Sequence, residues 1–284
     1  MKREKCFISD NNLLYLVATP IGNLGEMSPR AIEVLSSCDI IACEDTRNTY
    51  SLLTHFDIKK NLVSLREHNE RAMSQNIVNE ILAGNKVAYV SDAGYPCISD
   101  PGAILVEECL KNDIRVSAIS GSSAFINALV ASGLNSNHFY FYGFLPSKDG
   151  EAKKELDGLK NIKSTIIFYE SPHRIERTIK NLYEVLGNRK TVIARELTKK
   201  NEEYVRGELE ELVNIDFASL IGEMVIVVEG NNYDEEKDLN TIKEHITLLL
   251  EKGVSKKDTA DIVSKIDNIN KNEAYDIVIN LKKS

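Results

Sequence analysis

Five short apolar runs rich in β-branched residues recur through the first part of the chain: "LLYLVA" at 13–18, "DIIACE" at 39–44, "NLVSL" at 61–65, "KVAYV" at 86–90 and "RVSAI" at 115–119. Helix-patterned segments separate them. Strands that alternate with helices form βαβ units, so this half predicts an α/β domain around a parallel sheet. Helix ends are legible. Ser28 before Pro29 reads as an N-cap with proline at the first helical position, and Asp100 before Pro101 reads the same way. Gly84 closes a helix whose Ile77, Val78, Ile81 and Leu82 form one apolar face.

The second half keeps the strands and changes their rhythm. "FYFYGF" (139–144), "STIIFYE" (164–170), "TVIARE" (191–196), "EEYVRG" (202–207) and "EMVIVVEG" (223–230) follow one another with few helices between, which predicts a mixed sheet with some antiparallel pairing. The expected boundary lies at "SGSSAF", 120–125. After Gly230, "NNYDEEKD" reads as a polar linker. Ile242, Ile246, Leu249, Leu250, Ile262, Ile266, Ile277 and Leu281 then mark two or three short helices. The division expected is an N-terminal arm over 1–12, α/β domains over 13–119 and 120–231, and a small helical domain over 238–284.

With 284 residues, 43% of them apolar, two domain cores can be filled. No apolar run approaches the roughly 18–20 residues of a membrane span, and "MKREKCFISDNN" lacks the features of a signal peptide, so a cytoplasmic location is expected. Cys6, Cys38, Cys43, Cys97 and Cys109 are scattered, with no metal-ligand spacing, and read as free thiols. A formal net charge of −8 argues against a nonspecific nucleic-acid coat and leaves room for a local basic groove.

In an open parallel sheet, ligands sit beyond the carboxyl ends of the strands. Three strand exits are rich in turn formers: "ATPIGNLGEMSPR" (18–30), "SDAGYPCISDPG" (91–102) and "ISGSSAF" (119–125). None is a GxGxxG or a Walker lysine loop, so dinucleotide and nucleoside triphosphate readings lose their support. Backbone amides at Gly94 and Gly121, with Ser120, Ser122 and Ser123 at a helix start, suit an anion such as a carboxylate. Asp92 suits ribose hydroxyls or a cationic group, or else it caps a turn. A small zwitterionic, ribose-containing molecule satisfies both features.

Two further clusters mix carboxylates with guanidinium groups. "CEDTRNTYSLL" places Glu44, Asp45 and Arg47 after a strand, and "FYESPHRIERT" places Glu170, His173, Arg174 and Arg177 after another. Such groups either clamp phosphates or pair with one another. His68 in "REHNE" is the other titratable candidate.

Taken in order, "LYLVATPIGNLGEMSPRAIEVLSSCDIIACEDTRNTYSLLTHFDI", "REHNE", "VSDAGYPCISDPG", "SGSSAFINALVASGL", "FYGFLPSK", "IFYESPHRI", "ARELTK" and "GEMVIVVEG" resemble the rRNA-directed branch of the tetrapyrrole methylase superfamily over about residues 13–230. The resemblance implies two α/β domains with S-adenosylmethionine held in the cleft between them, and a homodimer. It implies 2′-O-methylation of a cytidine ribose in 16S rRNA, at position 1402 of that RNA, within the small ribosomal subunit. A porphyrin-directed member would show "GxGPGD" after the first strand and "GDP" after the fourth; this chain has "ATPIGNLGE" and "SDAGYP". Carried over by position, the cofactor contacts are Pro20; Asp92, Ala93 and Gly94; Ser123 and Ala124; Tyr169 and Glu170; Leu197; and Gly222, Glu223 and Met224. The first three groups coincide with the loops singled out above, and the others rest on the resemblance.

Methyl transfer from a sulfonium is an in-line displacement, which needs alignment first and a general base second. Glu44, Asp45, His68, Glu170 and His173 are the candidate bases, with the strand-exit pairs Glu44/Asp45 and Glu170/His173 preferred, and Arg47 and Arg174 would hold flanking phosphates. The chemistry requires no metal. Lys148, Lys153, Lys154, Lys160 and Lys163 form either an arm over the RNA or a solvated helix face. The helical tail resembles the small helical domain of this family, with nearly balanced charge. Two other functions stay open: methylation of a tetrapyrrole, which the missing signatures disfavour, and a non-enzymatic ribosome-assembly or RNA-binding role, which failure to take up S-adenosylmethionine would reveal.

Overall fold

The computed structural model of the protein describes residues 3, 5, 6, 12–231, 239–267 and 269–281. Most of the expected N-terminal arm and of the acidic linker therefore lies outside the described residues. By its internal contacts the chain divides into two compact units, Met1–Gly230 and Asn231–Ser284.

The larger unit holds two five-stranded sheets. The first is built from β1 (Leu13–Val17), β2 (Ile40–Cys43), β3 (Asn61–Ser64), β4 (Val87–Val90) and β5 (Arg115–Ile119), all parallel, in the order β3-β2-β4-β1-β5. Because side chains alternate across a strand, each strand serves two cores. Tyr15, Val17, Ile41, Cys43, Ala88 and Val90 face one, where α1 (Pro29–Ser37) brings Ala31 and Leu35 and α2 (Thr46–His55) brings Leu53. Leu14, Ala42, Val87 and Tyr89 face the other, closed by Ile77, Val78 and Ile81 of α3 (Glu70–Leu82) and Leu105 and Cys109 of α4 (Ala103–Lys111). The apolar face of α3 is narrower than its sequence predicts: Leu82, its last residue, is 49% exposed. Ser28 caps α1 as expected, accepting from the Ala31 N–H.

After β5, α5 (Ala124–Ser132) leaves the first sheet and packs on the second. That sheet contains β6 (Phe139–Phe144), β7 (Thr165–Glu170), β8 (Lys190–Arg195), β9 (Glu203–Glu208) and β10 (Met224–Val228), in the order β6-β7-β10-β8-β9. Only β6 and β7 pair in parallel; β10 runs antiparallel to β7 and β8, and β9 to β8, so the sheet is mixed. Ile167, Val192, Ala194, Val225 and Val227 meet Ala128 and Leu129 of α5 on one face. On the other, Ile166, Phe168, Ile193, Ile226 and Val228 meet α6 (Asp149–Leu159), α7 (Ile175–Leu186) and the short α8 (Leu209–Leu212).

Among the described residues the smaller unit has three helices, α9 (Leu239–Glu251), α10 (Lys256–Ile266) and α11 (Lys271–Asn280), around Ile242, Ile246, Ala260, Val263, Ile269, Ala274 and Val278. Ile266 ends its helix 66% exposed, and Ile269, beyond the turn, fills the core in its place. No helix among the described residues is long and apolar enough to cross a membrane.

Candidate functional site

A cavity of about 460 Å3 lies between the two sheets of the larger unit. The first sheet supplies Glu44 at the end of β2, and Asp92–Tyr95 with Ile98–Asp100 from the exit of β4. The second half supplies Ser123 and Ala124 at the start of α5, Tyr169–Pro172 at the end of β7, Glu196, Leu197 and Lys199 after β8, and Glu223–Val225 at the start of β10. Ile21 and Phe144 complete the wall.

Ten of the positions expected to contact cofactor thus line one cavity: Asp92, Ala93, Gly94, Ser123, Ala124, Tyr169, Glu170, Leu197, Glu223 and Met224. Pro20 lines a neighbouring cavity of about 310 Å3 that shares Asp92. Gly222 lies outside the lining, in the left-handed region at φ 89°, where any side chain would collide with the Glu196 carboxylate.

The three loops that the sequence singles out are tied to one another. Thr19 and Gly94 exchange backbone hydrogen bonds of 2.9 and 3.0 Å. The Gly121 N–H donates to the Tyr95 hydroxyl at 3.2 Å. The Ser28 hydroxyl donates to the Ser120 carbonyl, and Ser122 to Glu26. The amides of Gly94 and Gly121, expected to cradle an anion, are therefore spent on joining the loops. Asp92 lines the cavity and accepts from the Asp45 N–H at 3.1 Å and the Asn48 side chain at 2.7 Å, so that it fixes the start of α2 instead of capping its own turn.

The end of "SDAGYPCISDPG" departs most from expectation. α4 does not begin at Pro101 under an Asp100 cap. It begins at Ala103, with Gly102 as N-cap at φ 127°, a conformation that leaves no room for a side chain beside the Tyr89 ring. Its cap comes from another helix: buried Glu70 accepts from the Gly102 and Ile104 N–H groups at 2.8 and 2.9 Å. The Pro101 carbonyl accepts from the Tyr89 hydroxyl and the Cys97 N–H. Asp100, released from capping, lines the cavity instead.

The carboxylates around the cavity differ in what holds them. Glu170 is 1% exposed at its side chain; it accepts from Thr178 at 2.6 Å and the Ser171 N–H at 2.8 Å and pairs with Arg174 at 3.2 Å. Glu196 pairs with Lys199 at 2.8 Å. Burial pushes the Glu44 carboxyl up, and the nearby Asp92 charge adds to the shift. Burial also lifts Asp100, to about 6, reinforced by Glu44 and Asp92 and opposed by the nearby Ser91 hydroxyl. Tyr169, pushed up to about 12 by burial, stays a neutral phenol.

The remaining expected catalytic residues stand off the lining. Asp45 caps α2 and binds the Arg47 guanidinium, whose hydrogen bonds hold its carboxyl far below the usual range. Arg47 is 85% exposed at its side chain. Arg174 is committed to Glu170 and to the Leu145 and Pro146 carbonyls, and His173 is exposed beside it. In "REHNE", His68 is exposed and Glu70 is the residue with a structural task. On α6, Lys153 pairs with Glu184, and Lys148, at its N-cap, pairs with Glu151, as on a solvated helix face. Sequence reasoning missed Glu70 and Asp100. The available signal for Asp100 was Gly102, because glycine in a helix's first turn is a weak helix former directly after Pro101.

Comparison with known proteins agrees with this geometry. A family profile described as Tetrapyrrole (Corrin/Porphyrin) Methylases matches residues 13–213. "Ribosomal RNA small subunit methyltransferase I" of Bacillus subtilis (strain 168) is 43% identical over 275 residues, covering 94% of each chain. The protein of the same name from Vibrio cholerae serotype O1 is 43% identical over 267 residues, covering 93% of each. Among solved structures, uroporphyrin-III-C-methyltransferase from Thermus thermophilus shares the fold with a TM-score of 0.55 at 17% identity, over 77% of this chain and 94% of that one. Diphthine synthase shares it with a TM-score of 0.58 at 14% identity, over 76% and 89%.

Proposed function

The chain belongs to the tetrapyrrole methylase family, and from that membership we propose that it transfers the methyl group of S-adenosylmethionine to the ribose 2′-hydroxyl of a cytidine in 16S rRNA. One observation carries the choice of RNA over a pigment: nearly the whole chain aligns with enzymes named for small subunit rRNA, at an identity far above that of the porphyrin enzyme with the same fold.

The cavity fits the cofactor in size and charge. About 460 Å3 lies within the range of sites that enclose a ligand of this size. Glu44, Asp92, Asp100, Glu170, Glu196 and Glu223 surround it, against Lys199 alone among its lining cations, and Lys199 is paired. Such a wall favours a molecule bearing a sulfonium and an ammonium. Asp92, Ala93, Gly94, Ser123, Ala124, Tyr169, Leu197, Glu223 and Met224 would hold it. When bound, it supplies an electrophilic methyl group on a sulfur that leaves as a neutral thioether.

The chain's own work is positioning and proton transfer. Joining Thr19 to Gly94 and Tyr95 to Gly121 makes the loop wall rigid before ligand arrives. Glu170 fixes the turn from Ser171 to Arg174. Ile98, Leu197 and Phe144 give the cavity apolar surface. Arg47, which binds Asp45, and Arg66, which donates to the Glu44 carbonyl, are exposed and would meet RNA phosphates. The RNA is engaged within the small subunit, by a homodimer, in the cytoplasm.

The test incubates the protein with labelled cofactor and either unmethylated 30S subunits or free 16S rRNA, then maps ribose methylation. A single modified cytidine is expected on the subunit. Label on neither RNA overturns the reading, and sedimentation equilibrium measures the dimer independently.

A further inference from the structure

We propose that Asp100 is the catalytic base of methyl transfer: its carboxylate takes the proton of the ribose 2′-hydroxyl. The inference rests on the methyltransferase reading and names a residue which that reading leaves open.

Elimination among the cavity carboxylates leads to it. Both oxygens of Asp92 are engaged, by the Asp45 amide and by Asn48. Glu170 is saturated by Thr178, Ser171 and Arg174, and Glu196 is neutralised by Lys199. A carboxylate with its lone pairs committed and its charge compensated is a poor proton acceptor. Glu44, Asp100 and Glu223 remain.

Of these, Asp100 is the one whose position is built. Its neighbours are fixed on both sides. Ser99 and Cys97 are held in the left-handed region at φ 62° and 69°, which costs a non-glycine residue energy and persists only where the surroundings enforce it. Pro101 is pinned through its carbonyl by Tyr89 and Cys97, and Gly102 through its N–H by Glu70. The short Asp100 side chain lies near the Ser91 hydroxyl and keeps acceptor capacity toward the cavity. Glu44 and Glu223 have longer side chains, with one more rotatable bond between backbone and carboxylate. A base must be held in a narrow geometry, and of the three Asp100 meets that condition best, through its short side chain on a constrained backbone.

Its surroundings also set its proton affinity. Glu44, Asp92 and Glu223 face it with like charge, while Tyr89, Tyr169 and Cys97 are neutral neighbours, all three pushed up by burial. A carboxylate so placed is ionised near neutral pH, yet basic enough to accept a proton as the transition state forms. The step balances. The O–H bond of the ribose breaks toward Asp100, the oxygen's electron pair takes the methyl carbon, and the carbon–sulfur pair stays on sulfur. The products are an ether, a thioether and a protonated Asp100, which returns its proton to solvent.

Asp100→Asn keeps the shape of the side chain and removes its charge. We expect its kcat to fall about 100-fold or more, with the cofactor Kd by calorimetry and the KM for RNA each within about threefold of wild type. Wild-type kcat should rise with pH through about 6 and then level, an inflection absent from the variant. Carboxyl-carbon NMR of the ligand-free protein should place the Asp100 titration near the same pH, and Glu44→Gln should move it lower. A variant that keeps its rate, loses it in proportion to cofactor affinity, or retains the inflection overturns the assignment alone. A wild type that methylates neither form of the RNA overturns the functional reading, and the assignment with it.

Discussion

The two sheets close one cavity with two kinds of strand exit. At the end of β7 in the mixed sheet, Glu170 is sealed from solvent, with a hydroxyl, a backbone amide and a guanidinium on its carboxylate. At the exit of β4 in the parallel sheet, the Asp100 carboxylate is partly buried among three like-charged neighbours. Both are acidic residues at the exit of a buried strand, and Glu170 is the more buried of the two. Their partners separate them further. A saturated carboxylate holds walls together, whereas an under-partnered one keeps capacity for a substrate, at a cost to the fold.

Removing the sealed group should do the greatest damage. Glu170→Ala strands Arg174 and leaves Thr178 and the Ser171 amide without their acceptor. We expect a loss of about 3 kcal/mol in urea unfolding, the scale for breaking a buried pair from one side. A loss below about 1 kcal/mol would erase the contrast with Asp100.

At Asp100 the effect should be smaller and opposite in sign. Its folded-state pKa, about 6, lies above the ordinary 3.8, so folding disfavours the charged form. The unfolded chain ionises first as pH rises; the cost to stability grows between 3.8 and about 6, stays in full above, and vanishes below 3.8, where both states are protonated. Asp100→Asn should therefore unfold at higher urea than wild type at about pH 8, with the two midpoints converging as the pH falls to about 4. Equal midpoints at both values would show that Asp100 is not destabilised by its neighbours.

The least effect on the fold is expected at Arg47, whose pair with Asp45 is open to water. Arg47→Ala should change stability by less than about 0.5 kcal/mol. Its readout is RNA affinity: the salt dependence of binding should lose about one phosphate contact. An unchanged slope would assign Arg47 to Asp45 alone.

Much of this molecule is written in local pattern. The ten strands fall on the ten β-branched or aromatic runs, and Ser28–Pro29 starts α1, because periodicity and capping act over a few residues. Ten positions carried over from the family resemblance line one cavity for a related reason, since motifs at strand exits converge once the sheets form. The Gly94 and Gly121 amides read as an anion cradle only while the loops are considered one at a time; their partners, Thr19 and Tyr95, come from other loops.

The sequence by itself determined the alternation of strands and helices, the change from parallel to mixed pairing, and the loops that meet at the cavity. Tertiary structure decided which acids are structural and which are available for chemistry. Glu70 caps α4 from 32 residues away, Asp100 is thereby freed to face the cavity, and Arg174 is withdrawn from any phosphate by the Leu145 and Pro146 carbonyls. A carboxylate's role follows from the donors and charges within a few ångströms, and those are set by packing between segments far apart in the chain.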